Sequence, residues 1–376
     1  MKLLSLLPTI VIAIGDVLPE PTEPPKHYEF MAFVVGYFDS AGKQVGLDVS
    51  KNNGLSTVPE RLPAVGEIVP TIDGGFRVMG VLGTGTDSTV YLGEDINDSK
   101  FQVALKFQMY ADWSSGNSVE SEFRVLSILK EFGTRFPAVY LLSNLGAILR
   151  NGEIFNLRYM VMELLGSSIW SLTKLHKFSL PMKTIASVAL QSIESLEKMH
   201  STGYIHGDIH LENILFAHGP TDSDGHVFTN RVMFGDYGKS TPFLDVNRDH
   251  IRDVDIEYSD ERNLLYLSPF ELAMGTPSRR EDIYRLMETL ARMLGERVYG
   301  DHYKHLQNNR EALLLAKKTT PLKNIFPSVD QNFVDMFNYS RSLSFDEQPD
   351  YNIMKLAFNK ILTNLGINYS GKIILP

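Results

Sequence analysis

Between Tyr204 and Phe216, three polar side chains stand at a spacing that suits phosphoryl transfer: His206, Asp208 and, five residues after the aspartate, Asn213. A carboxylate so placed can take the proton of an attacking hydroxyl, and an amide oxygen five residues on can hold a metal ion against phosphate groups. Asp236, in the run Val232-Met-Phe-Gly-Asp-Tyr-Gly238, offers a second oxygen donor. An apolar strand ending in Asp-aromatic-Gly can direct that carboxylate to magnesium, which takes oxygen ligands. Taken alone, those residues read equally as an Asp- and Gly-rich turn.

Groups suited to the phosphates of a nucleotide lie upstream. In Gly83-Thr-Gly85-Thr-Asp-Ser88-Thr-Val90, Gly83 and Gly85 let the backbone come close to an anion, and Val90 can pack against a flat base. In isolation the same run is a hairpin turn. Val103-Ala104-Leu-Lys106 places a lysine on an apolar strand, where a lone ammonium is costly to bury. Its candidate partner is Glu122, expected on the polar side of the following helix, and the pair would hold the lysine against the α- and β-phosphates. The ordinary alternative is a strand lysine whose stem lies along apolar surface while its head reaches water.

These groups need strands before them and helices behind. Residues 76–82, 89–92 and 101–107 alternate and break as strands do. Val119, Phe123, Leu126 and Leu129 recur at helical spacing, with Asn117 and Glu120 placed as a capping box. Further helices are expected over Ile185, Val188, Ala189, Ile193, Leu196 and Met199; over Ile283, Leu286, Leu290 and Leu294; and over Ile353, Leu356, Ala357 and Ile361. Strands first and helices afterwards predict an α+β chain, with a small β-rich lobe followed by a larger helical one.

The 376 residues carry a formal net charge of −9 and no cysteine. The charge argues against broad nucleic-acid binding, which needs a basic face. With no thiol there is neither a disulfide nor a zinc-thiolate site nor a thiol nucleophile. Met1-Lys2, the apolar run Leu3–Ile14 and the small residues around Ala13-Ile14-Gly15 read as a signal peptide over 1–15. The expected location is therefore the secretory pathway. Pro8 and Ser5 keep open a buried apolar N-terminus, and with it a cytoplasmic or nuclear location. The run is too short to span a membrane, which takes about 20 apolar residues. Residues 16–63 hold a Pro- and Glu-rich linker and a stretch that no pattern assigns. Asn97, Asn338 and Asn368 open glycosylation sequons.

The motifs follow one another as glycine loop, Val-Ala-x-Lys, helical Glu, His-x-Asp-(x)4-Asn and Asp-Tyr-Gly, the order found in protein kinases. On that order the chain is identified as a member of that fold. Met162-Glu-Leu-Leu-Gly-Ser-Ser168, Ser278-Arg-Arg-Glu-Asp282 and Ser340-Arg-Ser-Leu-Ser-Phe-Asp-Glu-Gln-Pro-Asp-Tyr351 resemble the hinge, post-activation motif and C-terminal signature of the casein kinase I superfamily. Ala64-Val-Gly-Glu-Ile68, His-Gly-Asp and Asp-Tyr-Gly are similar to the vaccinia-related branch. The likeness covers residues 64–365, with an N-lobe over 64–162, a C-lobe over 167–365 and a tail at 366–376.

The resemblance implies a Ser/Thr protein kinase using ATP and Mg2+, with Asp208 as base, Asn213 and Asp236 on the metal, and Met162 as gatekeeper. Backbone groups of Glu163 and Leu165 would meet the adenine. Ser88 stands where a third glycine is usual, and Gly207 replaces the arginine that in many kinases reads an activation-loop phosphate. His210 takes the place of a catalytic-loop lysine that contacts the γ-phosphate. An imidazole titrates near neutrality while a lysine stays charged, so weakened transfer that improves on protonation is expected. The alternative is a pseudokinase acting as a nucleotide-binding scaffold or docking module. A small-molecule kinase is disfavoured by the C-terminal signature. Arg279 and Arg280 could favour acidic or pre-phosphorylated protein substrates, or could simply tie down carboxylates within the fold.

Overall fold

The computed structural model describes residues 62–71, 74–85, 88–110, 118–150, 153–254 and 264–376. The expected signal peptide, the linker and most of the unassigned stretch to residue 63 lie outside the described residues, as does Asn117 of the expected capping box. The chain forms two compact units. One holds the described residues up to Val119 together with Tyr140–Met162; the other holds Glu120–Val139 and Glu163–Pro376. The fold is α+β, with the large sheet in the first unit and helices dominating the second.

In the first unit, β1 (Ile68–Thr71), β2 (Gly74–Thr84), β3 (Ser88–Asp95), β4 (Gln102–Tyr110), β5 (Val139–Arg150) and β6 (Glu153–Glu163) form a sheet in the order β1-β2-β3-β4-β6-β5. Alternation decides its faces. Val103, Leu105 and Phe107 of β4 enter a core with Val69, Val78, Tyr91, Tyr159 and Val161. Phe107 stands edge-on to Tyr91, with centroids 5.5 Å apart, and stacks on Tyr159 at 5.3 Å. The Tyr159 hydroxyl donates to the Pro70 carbonyl (2.9 Å), which fixes β6 to the first strand.

In the second unit the helices are α1 (Ser118–Leu129), α2 (Ile169–Leu175), α3 (Met182–Ser201), α4 (Pro269–Leu272), α5 (Arg279–Leu294), α6 (Glu296–Lys304), α7 (Arg310–Thr319), α8 (Leu322–Ile325), α9 (Gln331–Ser342) and α10 (Tyr351–Asn364). The periodic face expected of α3 is its buried face: Ile185, Val188, Ala189, Ile193, Leu196 and Met199 are all fully enclosed. Helix α10 forms where the apolar spacing predicts it but buries a different face. Ile353 and Leu356 are exposed, whereas Tyr351, Met354, Phe358, Ile361 and Leu362 are inside. Apolar residues surround most of that helix, and the larger aromatic rings take the core side because they remove more area from water. The last residues are no free tail: Ile373 N–H donates to Asn230 O (2.7 Å) and Ile374 N–H to Ser187 Oγ (3.0 Å). Among the described residues no helix is long and apolar enough to cross a membrane.

Candidate active site

Strand register sets the residues of the first unit. Gly83 of β2 faces Val90 of β3, and Val90 faces Lys106 of β4, so the three occupy one row across the sheet. Leu92 faces Ala104 one pleat away. Side chains directly opposite in such pairs lie on one face, so Val90, Ala104 and Lys106 share a face. That face turns away from the core formed by Val103, Leu105 and Phe107. Gly85 N–H donates to Ser88 O (2.8 Å) at the turn between the strands. A Cβ built on Gly83 meets nothing within 4 Å, so open space lies over the glycine where a phosphate could approach. Ala104 and Lys106 are buried, as is Met162 near the end of β6.

The second unit places the remaining residues. Glu163 N–H donates to Ala138 O (2.8 Å), and its carboxylate accepts from Ala138 N–H (3.0 Å). This double tie orients the segment leading to Leu165. Glu122 does not lie on the polar side of α1 as expected: it is completely enclosed, and its Oε1 accepts from Tyr237 N–H (3.0 Å). A buried carboxylate must find donors, and sequence periodicity cannot distinguish such a position from a solvated one. Lys106 belongs to the first unit and Glu122 to the second.

The loop around Asp208 is held by a buried aspartate of α5. Asp282 Oδ2 accepts from His206 N–H (2.7 Å) and Oδ1 from Gly207 N–H (2.9 Å). His200 of α3 donates through Nε2 to the same carboxylate (2.9 Å), and the Tyr351 hydroxyl lies 2.6 Å from His200 Nδ1. Burial alone would raise the Asp282 carboxyl. The His200 contact and the two backbone donors outweigh it and hold the group below the usual carboxylate range.

His206 is fully buried against Tyr237 and Phe234, with ring centroids 4.8 and 5.2 Å away. Its Nδ1 accepts from Asp208 N–H (3.2 Å), and Nε2 donates to Gly235 O (3.2 Å). Burial pushes its pKa down against the pull of the nearby aspartates, so it is a neutral, orienting imidazole.

Three polar side chains meet at Asp208. Asn213 Nδ2 donates to the Asp208 carbonyl (2.9 Å) and stands 3.5 Å from Oδ2. Lys239 Nζ lies 3.0 Å from Oδ2 and His210 Nε2 lies 3.8 Å from it. Burial raises the Asp208 carboxyl, but His210 and Lys239 together hold it well below the usual carboxylate range, so it is an anion at neutral pH. Because Asn213 spends its amide nitrogen on the loop, its amide oxygen is left as a hard ligand of the kind magnesium takes. Asn213 O accepts from Gly235 N–H (2.9 Å), and β8 (Ile214–Phe216) pairs with β9 (Val232–Phe234), so Asp236 follows directly on the residue bonded to Asn213. Asp236 has φ +56°, an unusual backbone for a side chain other than glycine, and is exposed. Asn213 and Asp236 would supply oxygen donors of the kind magnesium takes.

Sequence reasoning missed Lys239 and His200. Lys239 follows Asp-Tyr-Gly directly, yet no spacing rule connects it to Asp208. Arg280, offered as an anion site, pairs with Asp253 (3.2 Å) and lies over Phe270 and Phe345. Arg279 donates to Asp346 O (2.6 Å) and covers the Phe243 ring. Compared with known families, residues 76–339, well over half the chain, match the model described as protein kinase domain.

Proposed function

Because this chain belongs to the protein kinase family, whose domains generally use ATP and Mg2+, we propose that it is an active Ser/Thr protein kinase related to the casein kinase I superfamily. The observation that carries the proposal is Asp208. It is an anionic carboxylate on a loop fixed by Asp282, with Asn213 beside it and Asp236 directly after Gly235, whose N–H donates to Asn213 O. In the proposed reaction Asp208 takes the proton of a serine or threonine hydroxyl. The hydroxyl oxygen forms its bond to the terminal phosphorus of ATP as the bond from that phosphorus to the bridging oxygen breaks, and the electron pair leaves on ADP. Asn213 and Asp236 would hold magnesium, which when bound neutralises charge on the phosphates. Gly83, Gly85, Ser88 and Val90 are assigned to the triphosphate and base, Ala104 and Met162 to the adenine pocket, and Lys106 to the α- and β-phosphates. Glu163 and Leu165 present backbone groups to the adenine.

Protein acceptors are proposed over sugars or choline on the Ser340–Tyr351 signature, whose Tyr351 reaches the catalytic loop's anchor through His200. A preference for acidic substrates draws less support, because Arg280 is already engaged by Asp253. The test is Mg2+-dependent transfer of labelled phosphate to denatured protein mixtures by wild type and Asp208→Asn. Transfer lost in the variant supports the proposal. Equal phosphate release in both would instead support the scaffold reading that His210 invites.

A further inference from the structure

His210 leaves a place beside Asp208 without the fixed positive charge that a lysine would bring, and a second segment brings one. Lys239 Nζ stands 3.0 Å from Asp208 Oδ2, closer than His210 Nε2 at 3.8 Å. His210 Nδ1 accepts the Glu212 N–H (3.3 Å), which ties the ring to its own loop.

The lysine's backbone is also clamped to the catalytic loop. Ser240 Oγ donates to His206 O (3.3 Å), and β10 (Thr241–Pro242) pairs with β7 (Tyr204–Ile205) just before the loop. Gly207 has φ +75°, and a Cβ there would come within 2.7 Å of Lys239 O. The glycine in His-Gly-Asp is therefore what lets the Lys239 backbone come this close. Asp208, His210 and Lys239 also line one cavity of about 580 Å³ in the second unit, with Trp170 and Thr241 on its wall. Lys239 thus faces the same open volume as the base, and its side chain is 69% exposed. Among the described residues Asp208 Oδ1 takes none of these contacts, so a carboxylate oxygen remains for a substrate proton.

We propose that Lys239 is a catalytic residue that does the work of the missing lysine at position 210, its ammonium bearing on the phosphate being transferred while it holds Asp208 in place. The assignment rests on the kinase reading above and deepens it. It removes the reason for expecting weak transfer at neutral pH, since a lysine carries its charge throughout that range. A positive charge placed where negative charge develops acts mainly on kcat.

The experiment compares wild type, Lys239→Ala, Lys239→Met (which keeps an unbranched stem), Lys239→Arg and the double variant Lys239→Ala/His210→Lys. Two readouts are taken: steady-state transfer, and calorimetric affinity for Mg2+-ADP and for the non-hydrolysable ATP analogue AMP-PNP. In Lys239→Ala and Lys239→Met, kcat falls about 100-fold, in the range for loss of one transition-state contact. AMP-PNP weakens about tenfold while ADP is unchanged, as expected for one charge-assisted contact to the γ-phosphate. Lys239→Arg retains most of both, and His210→Lys restores both in the double variant.

Four results overturn the assignment. They are unchanged kcat and AMP-PNP:ADP ratio in Lys239→Ala, faster transfer there (which would make the ion pair a lock on the base), a kcat loss that His210→Lys does not rescue with the affinity ratio unmoved, and failure to bind nucleotide at all. Should wild type transfer no more phosphate than Asp208→Asn, the kinase reading fails by itself, and the affinity ratio still decides the case of Lys239.

Discussion

The two compact units position their candidate site residues by different means. In the first, Gly83, Val90 and Lys106 sit in one row because three neighbouring strands pair in one register. Nothing more is needed than the ladder and a core on the opposite face. In the second, Asp208 lies on irregular backbone, and its place depends on buried polar groups brought from afar: Asp282 from α5, His200 from α3 and Tyr351 from α10. Sheet register distributes its support over many equivalent bonds, whereas the loop depends on a few unlike polar groups, with the Asp282 carboxylate at their centre. The second unit's site should therefore fail through single polar substitutions, and the first unit's should tolerate small changes that leave the ladder whole.

Asp282→Ala is expected to have the largest effect. It strands the His206 and Gly207 N–H groups and the His200 ring inside the protein, at a cost of about 3–5 kcal/mol. Denaturant unfolding gives the stability, and transfer activity should vanish with it. A loss under about 1 kcal/mol would mean the anchor is replaceable.

A second effect comes from the carboxylates behind the same loop. Arg285 pairs with Glu271 and with Glu281 (3.2 Å), and burial beside Glu271 pushes Glu281 up to about 8. The folded state thus keeps a proton that the unfolded chain releases in the ordinary carboxylate range. This group's contribution is full below that range and is lost as pH rises toward about 8, at no more than about 1.4 kcal/mol per pH unit. Glu281→Gln should flatten that decline in unfolding free energy measured from pH 5 to 8. An unchanged slope would show that the proton is not held there.

Gly207→Ala introduces a Cβ at positive φ, 2.7 Å from Lys239 O. It should cost about 1–3 kcal/mol and lower kcat by displacing Lys239. Gly83→Ala is the smallest change, because its Cβ meets nothing. Stability should move by less than about 1 kcal/mol, while the KM for ATP rises, since the added methyl fills space assigned to the phosphates. If Gly83→Ala proves the more destabilising of these two, the contrast between register and anchored loop fails.

The same contrast explains what was legible in the sequence. Strands β2 to β4 and helices α1, α3 and α5 announce themselves by period. Patterns written along the chain report local geometry. Glu122 lies on the buried side of α1, and a helical wheel does not record which polar side chain finds a buried donor. The buried side of α10 is not legible in its sequence, because apolar residues surround most of that helix and only its neighbours choose among them. Lys239 lies 31 positions from Asp208. No periodicity links them; only the pairing of β10 with β7 and the glycine at 207 bring them within 3.0 Å.

The most direct measurement is single-turnover transfer of the γ-phosphate from Mg2+-ATP to a protein acceptor, in wild type, Asp208→Asn and Lys239→Ala, at neutral pH. The account predicts transfer in wild type, its abolition in Asp208→Asn, and a loss of about 100-fold in Lys239→Ala. Wild-type transfer no greater than that of Asp208→Asn would contradict it.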